Sequence, residues 1–258
     1  ALFSKAGFKK LKYSIMDFID KIIPKAALGK QLFLFLPKYL RYSKRIASGE
    51  DKNNYAILCN DIRGGNILNI PLFIQQYFPI LKKLEKKIIQ KEAEKRKFCA
   101  FIVSSNSSRE RIDFFKKLSG YKKIDSFGKV FNNAMADVKK WKNNSEIFKN
   151  YKFVICFENS FADEYITEKL PNAMLANSIP IYRGGPNVGK YFDTKSFINY
   201  DDYGSHDAMI EKIIELDKDD RAYLKFLGRP WFRRKKMPSS IKNKEKELIN
   251  FYKRIISS

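Results

Sequence analysis

The chain has 258 residues, 44% of them apolar, which is enough to bury one large core or two modest ones and excludes disorder as the first expectation. Its 51 Lys and Arg outnumber 28 Asp and Glu, a formal charge of +23. That predicts attraction to anionic partners: a nucleotide sugar, phospholipid headgroups or nucleic acid. His206 is the only histidine, so a multi-histidine metal site is ruled out and a Ser-His-Asp nucleophile is disfavoured.

Cys59, Cys99 and Cys156 are an odd set without CxxC spacing, and two of them sit in apolar runs, where a buried thiol is expected. This points to a reducing cytoplasm. No run of about 18 apolar residues occurs, so no membrane span is expected. Peripheral contact at the inner, anionic face of a membrane is one use for the charge.

Residues 1–48 are basic and helix-like, with Ile15, Phe18, Ile19 and Ile22 at helical spacing behind the cationic FKKLKY segment. A core-facing helix with a solvated basic face and a membrane-surface helix fit equally well. Residues 31–36 read as a strand closed by Pro37. Residues 77–97 run into KKLEKKIIQKEAEKRK, read as a solvated linker helix. No aromatic residue interleaves with its charges after Phe78, as a platform for single-stranded nucleic acid would need, so nucleic acid is set aside as a partner.

Residues 98–103 form the next buried strand, followed by a polar turn at 104–108 and a helix carrying Phe114, Phe115 and Leu118. Arg109 and Arg111 open that helix. A guanidinium at the carboxyl end of a strand can grip a diphosphate with a planar fork, whereas Arg109 reads as a surface charge. In the turn Asp125-Ser126-Phe127-Gly128 the glycine lets the backbone approach a nucleotide. Asn132 and Asn133 suit a turn.

Residues 152–187, KFVICFENSFADEYITEKLPNAMLANSIPIYRGGPN, read as a complete strand, loop, helix, strand and loop. Residues 153–157 are an apolar run without a breaker, the pattern of a strand buried on both faces. Thr167 caps a helix whose first turn carries Glu168 and Lys169, with Pro171 early enough to be tolerated and Leu170, Met174 and Leu175 at helical spacing. Residues 179–182 are the next strand. Such a unit implies parallel strands, which bind ligands outside their carboxyl ends. The polar residues fall on that edge: 158–165 after the first strand, 167–169 at the helix, and Arg183, Gly184 and Gly185 after the second. A carboxylate, an ammonium and a bare glycine backbone in one crevice suit a sugar joined to a diphosphate.

Residues 196–200 read as a further strand ending in Asp201 and Asp202. Adjacent strand side chains face opposite ways and no third ligand is evident, so these are turn residues and not a metal pair. Helices over 208–216 and 219–227 follow, stopped by Gly228-Arg229-Pro230. The tail RRKKMPSSIKNKEKELINFYKRIISS sets Leu248, Phe251, Tyr252 and Ile255 on one helical face. A helix packed across the two halves is the favoured reading, and a peripheral membrane anchor is the other.

The succession FENS, YITEKL and NAMLANSIPIYRGGPNV resembles the donor-site signature of the bacterial-type α1,3/4-fucosyltransferases, inverting enzymes that move fucose from GDP-fucose to a sugar hydroxyl. The resemblance continues through FIVSSNSSRERIDFFKKLSGYKKIDSFGKVFNN at 101–133 and KSFINYDDY at 195–203. It is strong from about residue 98 to about residue 232 and faint before that. The N-terminal part departs from the family, whose fuller Rossmann-like half holds the acceptor sugar. There NIPL at 69–72 stands like the family's RIPLY but lacks its arginine.

The resemblance implies an α/β, GT-B-like fold of two Rossmann-like halves, the N-terminal one reduced. Residues 1–95 would form the acceptor side, 96–228 the donor half and 229–258 a basic helical tail. It places Arg111 and Lys169 on the donor diphosphate, Asn159 and Tyr165 on the donor, and Glu168 on fucose or ribose hydroxyls; Arg183, by its position at the end of the next strand, is expected as a further phosphate contact. Glu50, in a compressed version of the family's SGEN segment, stands where the family keeps its general base, a carboxylate able to take the acceptor's proton. The implied partners are GDP-fucose and a glycan acceptor, with O3 of N-acetylglucosamine in a surface glycan as the expected hydroxyl. No metal is expected to be obligatory, though a divalent ion could stimulate. The competing reading is a catalytically silent or differently specific nucleotide-sugar-binding protein at a membrane surface.

Overall fold

A computed structural model of the chain describes residues 32–34, 55–58, 67–74, 81–85, 93–103, 108–134, 144–159 and 161–257. The expected α/β architecture is realised as two parallel sheets. In the first, β1 (Leu32–Leu34), β2 (Tyr55–Leu58) and β3 (Ile67–Asn69) lie in that order, with Phe33 opposite Ala56 and Ile57 opposite Leu68. The second holds β4 (Lys97–Phe101), β5 (Ile124–Ser126), β6 (Tyr151–Phe157), β7 (Ile179–Arg183) and β8 (Ile198–Asn199) in the order β5-β4-β6-β7-β8, every pairing parallel.

The apolar run of β6 is explained by burial on both sides: all seven of its residues are buried. Phe153, Ile155 and Phe157 face one core, and Val154 and Cys156 face the other. On the first face lie α1 (Arg109–Ser119), α5 (His206–Lys218) and α6 (Asp220–Leu227), which contribute Phe114, Leu118, Ile213 and Leu227. On the second lie α2 (Asn144–Phe148), α3 (Lys169–Leu175) and α7 (Ser239–Ser257), with Phe148, Leu170, Met174 and Phe251. The helix that follows β4 thus covers one face and the helix that follows β6 covers the other. The connection reverses direction between these two adjacent strands, and at such a switch point their carboxyl ends open into a crevice.

The second core also takes Ile70, Phe73, Leu81 and Leu84 from the first half and Trp231, Phe232 and Ile241 from the C-terminal part. Phe232 stacks on Phe192 with ring centroids 5.8 Å apart, and Trp231 accepts a backbone hydrogen bond from Asp193 at 2.8 Å. Lys244 donates to the Asn69 carbonyl at 3.0 Å, and the Met237 amide donates to Glu85 at 2.8 Å. The C-terminal segment therefore returns over β3 and buries Leu248 and Phe251, the packed alternative among the two readings of the tail. Each such large side chain contributes about 1.5–3 kcal/mol on burial.

Two local expectations need correction. The strand expected at 196–200 is only the two residues of β8. Asp193 first caps a 3-10 turn, Thr194–Ser196, by accepting from the Lys195 amide at 3.2 Å. Then α4 (Tyr200–Tyr203), a single turn closed by Gly204 at φ 72°, carries Asp201 and Asp202. Of the lysine-rich stretch expected to form a linker helix, residues 75–80 and 86–92 lie outside the described residues, and the parts that are described include 3-10 turns at Lys82–Glu85 and Ala93–Lys95. The open backbone at Gly128 serves the protein itself, because a Cβ there would lie 1.7 Å from the Val103 carbonyl oxygen. Asn133 clamps the same turn, accepting from the Ser126 amide at 2.8 Å and donating to the Ile124 carbonyl at 3.0 Å. Among the described residues no helix is long and apolar enough to cross a membrane.

Candidate functional site

The strand β6 runs out into Glu158, whose backbone extends the pairing by one step, its amide donating to the Arg183 carbonyl at 2.8 Å. The Glu158 side chain has no exposed surface. A buried carboxylate is costly unless it is paired and hydrogen-bonded, and here the loop and α3 supply the partners. The Thr167 amide donates at 2.7 Å, the Thr167 hydroxyl at 2.8 Å, and Lys169 Nζ at 2.7 Å. Burial pushes the Glu158 carboxyl above the usual range, opposed by the Lys169 charge. Burial would lower Lys169, but Glu158 and Glu168 raise it above an ordinary lysine, so its ammonium keeps its proton.

Glu168, and not Thr167 as the sequence predicts, stands at the N-cap of α3, without a side-chain cap; Thr167 lies one residue earlier, its hydroxyl 3.5 Å from the Lys169 amide. Glu168 already has helical dihedrals, and its carbonyl accepts from the Asn172 amide at 2.9 Å. Its carboxylate lies 4.0 Å from Lys169 Nζ. The first turn of α3 thus presents Glu168 and Lys169 side by side above the buried Glu158.

Arg111 reaches the same place from the other side of the switch point. It leaves the first turn of α1 with only 1% of its surface exposed, donates to the Phe157 carbonyl at 3.4 Å, and makes a hydrogen bond to the Asn159 side-chain oxygen. Burial lowers its pKa, while Glu158 and Tyr165 act against that shift. The phenol of Tyr165 acts electrostatically on Lys169 as well. Its loop is held at several points. The Tyr165 amide donates to Ala162 at 2.9 Å, Glu164 accepts from Tyr191 at 2.6 Å and from Asn187 at 3.2 Å, and the Phe73 amide donates to Ile166 at 3.0 Å.

The two glycines after β7 make room for this loop. A Cβ on Gly184 would lie 2.3 Å from the Tyr182 hydroxyl and 2.6 Å from Glu158 Cγ, and one on Gly185 would lie 2.8 Å from the Ala162 carbonyl. Their open backbone is filled by the protein's own groups.

The structure therefore brings together Arg111, Asn159, Tyr165, Glu168 and Lys169. Arg183 turns elsewhere. Its guanidinium pairs with Glu110 and lies over the Tyr200 ring, 3.7 Å from the centroid. Glu50 lies outside the described residues. Arg109 is the surface charge expected, its side chain 93% exposed beside Asp113. Sequence reasoning did not find the groups around Arg183, namely Glu110, Phe161, Tyr200 and His206. They come from four separate segments and share no spacing signal. Among the described residues no group of three or more His, Cys, Asp or Glu could hold a metal. The assembled set offers two fixed cations to an anion and one carboxylate to hydroxyl donors.

The sequence model for the C-terminal part of glycosyltransferase family 10 (fucosyltransferase) matches residues 92–254. The α-(1,3)-fucosyltransferase FucT of Helicobacter pylori is 37% identical over 133 residues, 52% of this chain and 27% of that protein. A fucosyltransferase-like protein of Acanthamoeba polyphaga mimivirus is 27% identical over 257 residues, 89% of this chain and 42% of its own length. The chain thus spans less than half the length of these relatives. A crystal structure of an α1,3-fucosyltransferase with GDP-fucose superposes with a TM-score of 0.68 at 22% identity, covering 99% of this chain and 88% of that one. This likeness establishes the fold as GT-B.

Proposed function

Because this chain belongs to glycosyltransferase family 10, the fucosyltransferases, we propose that it transfers fucose from GDP-fucose to a glycan hydroxyl with inversion. The observation that carries this reading is the meeting of Arg111 from α1 with Asn159, Tyr165, Glu168 and Lys169 at the end of β6. Arg111 and Lys169 hold the diphosphate, and Glu168 accepts hydrogen bonds from fucose or ribose hydroxyls. The acceptor oxygen attacks the anomeric carbon as the bond to GDP breaks, and its proton passes to a carboxylate, which we assign to Glu50. Negative charge grows on the departing GDP. The two cations sit where they offset it, so no divalent ion is obligatory.

The acceptor hydroxyl is O3 of N-acetylglucosamine in a surface glycan such as a lipopolysaccharide chain. The charge of +23 gives the chain a peripheral attraction to anionic membrane, at its cytoplasmic face. The test is incubation with GDP-fucose and N-acetyllactosamine, read by mass spectrometry, beside a Glu168→Ala variant. A product one fucose heavier, absent with the variant, supports the reading. GDP-fucose left intact in both reactions contradicts it.

A further inference from the structure

The side chain of Arg183 is committed on three sides. It pairs with the carboxylate of Glu110, lies over Tyr200 at 3.7 Å, and faces the exposed ring of Phe161 at 5.1 Å. His206 Nε2 stands 3.5 Å from the same Glu110 oxygen, and its ring meets Tyr200 and Phe114 edge-on at 5.7 and 5.2 Å. Arg183 and Glu110 are partly shielded, with side chains 20% and 31% exposed. An arginine–carboxylate pair with a stacked guanidinium fixes direction as well as distance.

Glu110 is the residue next to Arg111. Successive helix residues diverge by roughly 100°, so Glu110 faces the end of β7 while Arg111 faces the crevice between β4 and β6. On the donor-site reading above, we propose that the Glu110–Arg183 pair is a positioning clamp for Arg111, pinning the first turn of α1 to the carboxyl end of β7. Arg183 then binds no phosphate. It acts through Glu110, and Phe161 and Tyr200 hold its plane in place.

The test titrates GDP by calorimetry, and guanosine by saturation-transfer NMR, into wild type, Glu110→Gln, Arg183→Gln and the double variant. Each single variant is expected to weaken GDP about tenfold and leave guanosine unchanged, because only the phosphates sense Arg111. The double variant should lose no more than either single one, as two halves of one device do. Arg183→Lys, which keeps the charge without the flat face, should weaken GDP several-fold.

A direct phosphate contact by Arg183 predicts the reverse for Glu110→Gln: a freed guanidinium that tightens GDP or leaves it unchanged. That result overturns the clamp, as does equal loss of GDP and guanosine. If wild type binds GDP and all variants match it, the clamp alone fails. If wild type takes up no GDP, the donor-site reading fails and the clamp with it.

Discussion

Lys169 Nζ lies 2.7 Å from Oε2 of Glu158, a carboxylate with no exposed surface, and the pair joins the end of β6 to the first turn of α3. Removing one member of such a pair leaves a buried charge uncompensated. Glu158→Gln is expected to lower stability by about 3 kcal/mol or more in urea denaturation. It should also weaken GDP, since Lys169 loses the group that aims it. An unchanged denaturation midpoint would show that the pair fixes nothing.

The glycine after β7 carries a second prediction. Gly184→Ala places a Cβ within 2.6 Å of both the Tyr182 hydroxyl and Glu158 Cγ, so it should cost roughly 1–3 kcal/mol and reduce GDP affinity. Gly189→Ala is the control, since the nearest atom to its Cβ, a Thr194 methyl, is 3.6 Å away. Comparable melting temperatures for the two variants would refute the account of Gly184.

The only histidine makes the pH dependence tractable. Burial lowers the His206 pKa, and the charges of Arg183 and Lys117 lower it further, against smaller opposing effects of Asp207 and Asp113. The unfolded chain, with an ordinary value near 6.5, then binds more protons than the folded one. The stability from this group is complete above pH of about 6.5 and is lost as pH falls through that value toward the lower folded one. Denaturation between pH 8 and 5 should show this slope, and His206→Gln should remove it. An identical slope in the variant would assign it elsewhere.

The tail offers a fourth prediction. Trp231 is 1% exposed and lies in the core shared with Phe73 and Leu84. Trp231→Ala should cost about 3–5 kcal/mol, whereas a tail free to bind membranes would lose little.

Legibility in the sequence followed the range of the forces. The breaker-free run of β6 and the spacing of Leu170 and Met174 are local signals, and both elements formed where the sequence puts them. Arg111, Glu168 and Lys169 were singled out by the resemblance and by their places within a residue or two of a strand end or helix start, and the fold brings them to the same end of β6. Arg183 met the same criterion, yet its partner Glu110 is set by tertiary packing and left no local trace. The strand expected at 196–200 failed for a nearer reason: the Asp193 side chain accepts from the Lys195 backbone amide and turns the chain before β8 can lengthen.

The central claim is that the cluster at the end of β6 holds a nucleoside diphosphate. Calorimetric titration of GDP into wild type and Lys169→Ala tests it most directly. The account predicts saturable one-to-one binding by wild type, weakened roughly tenfold or more by loss of a charge-assisted contact in the variant. GDP that binds neither protein, or both equally, would contradict it.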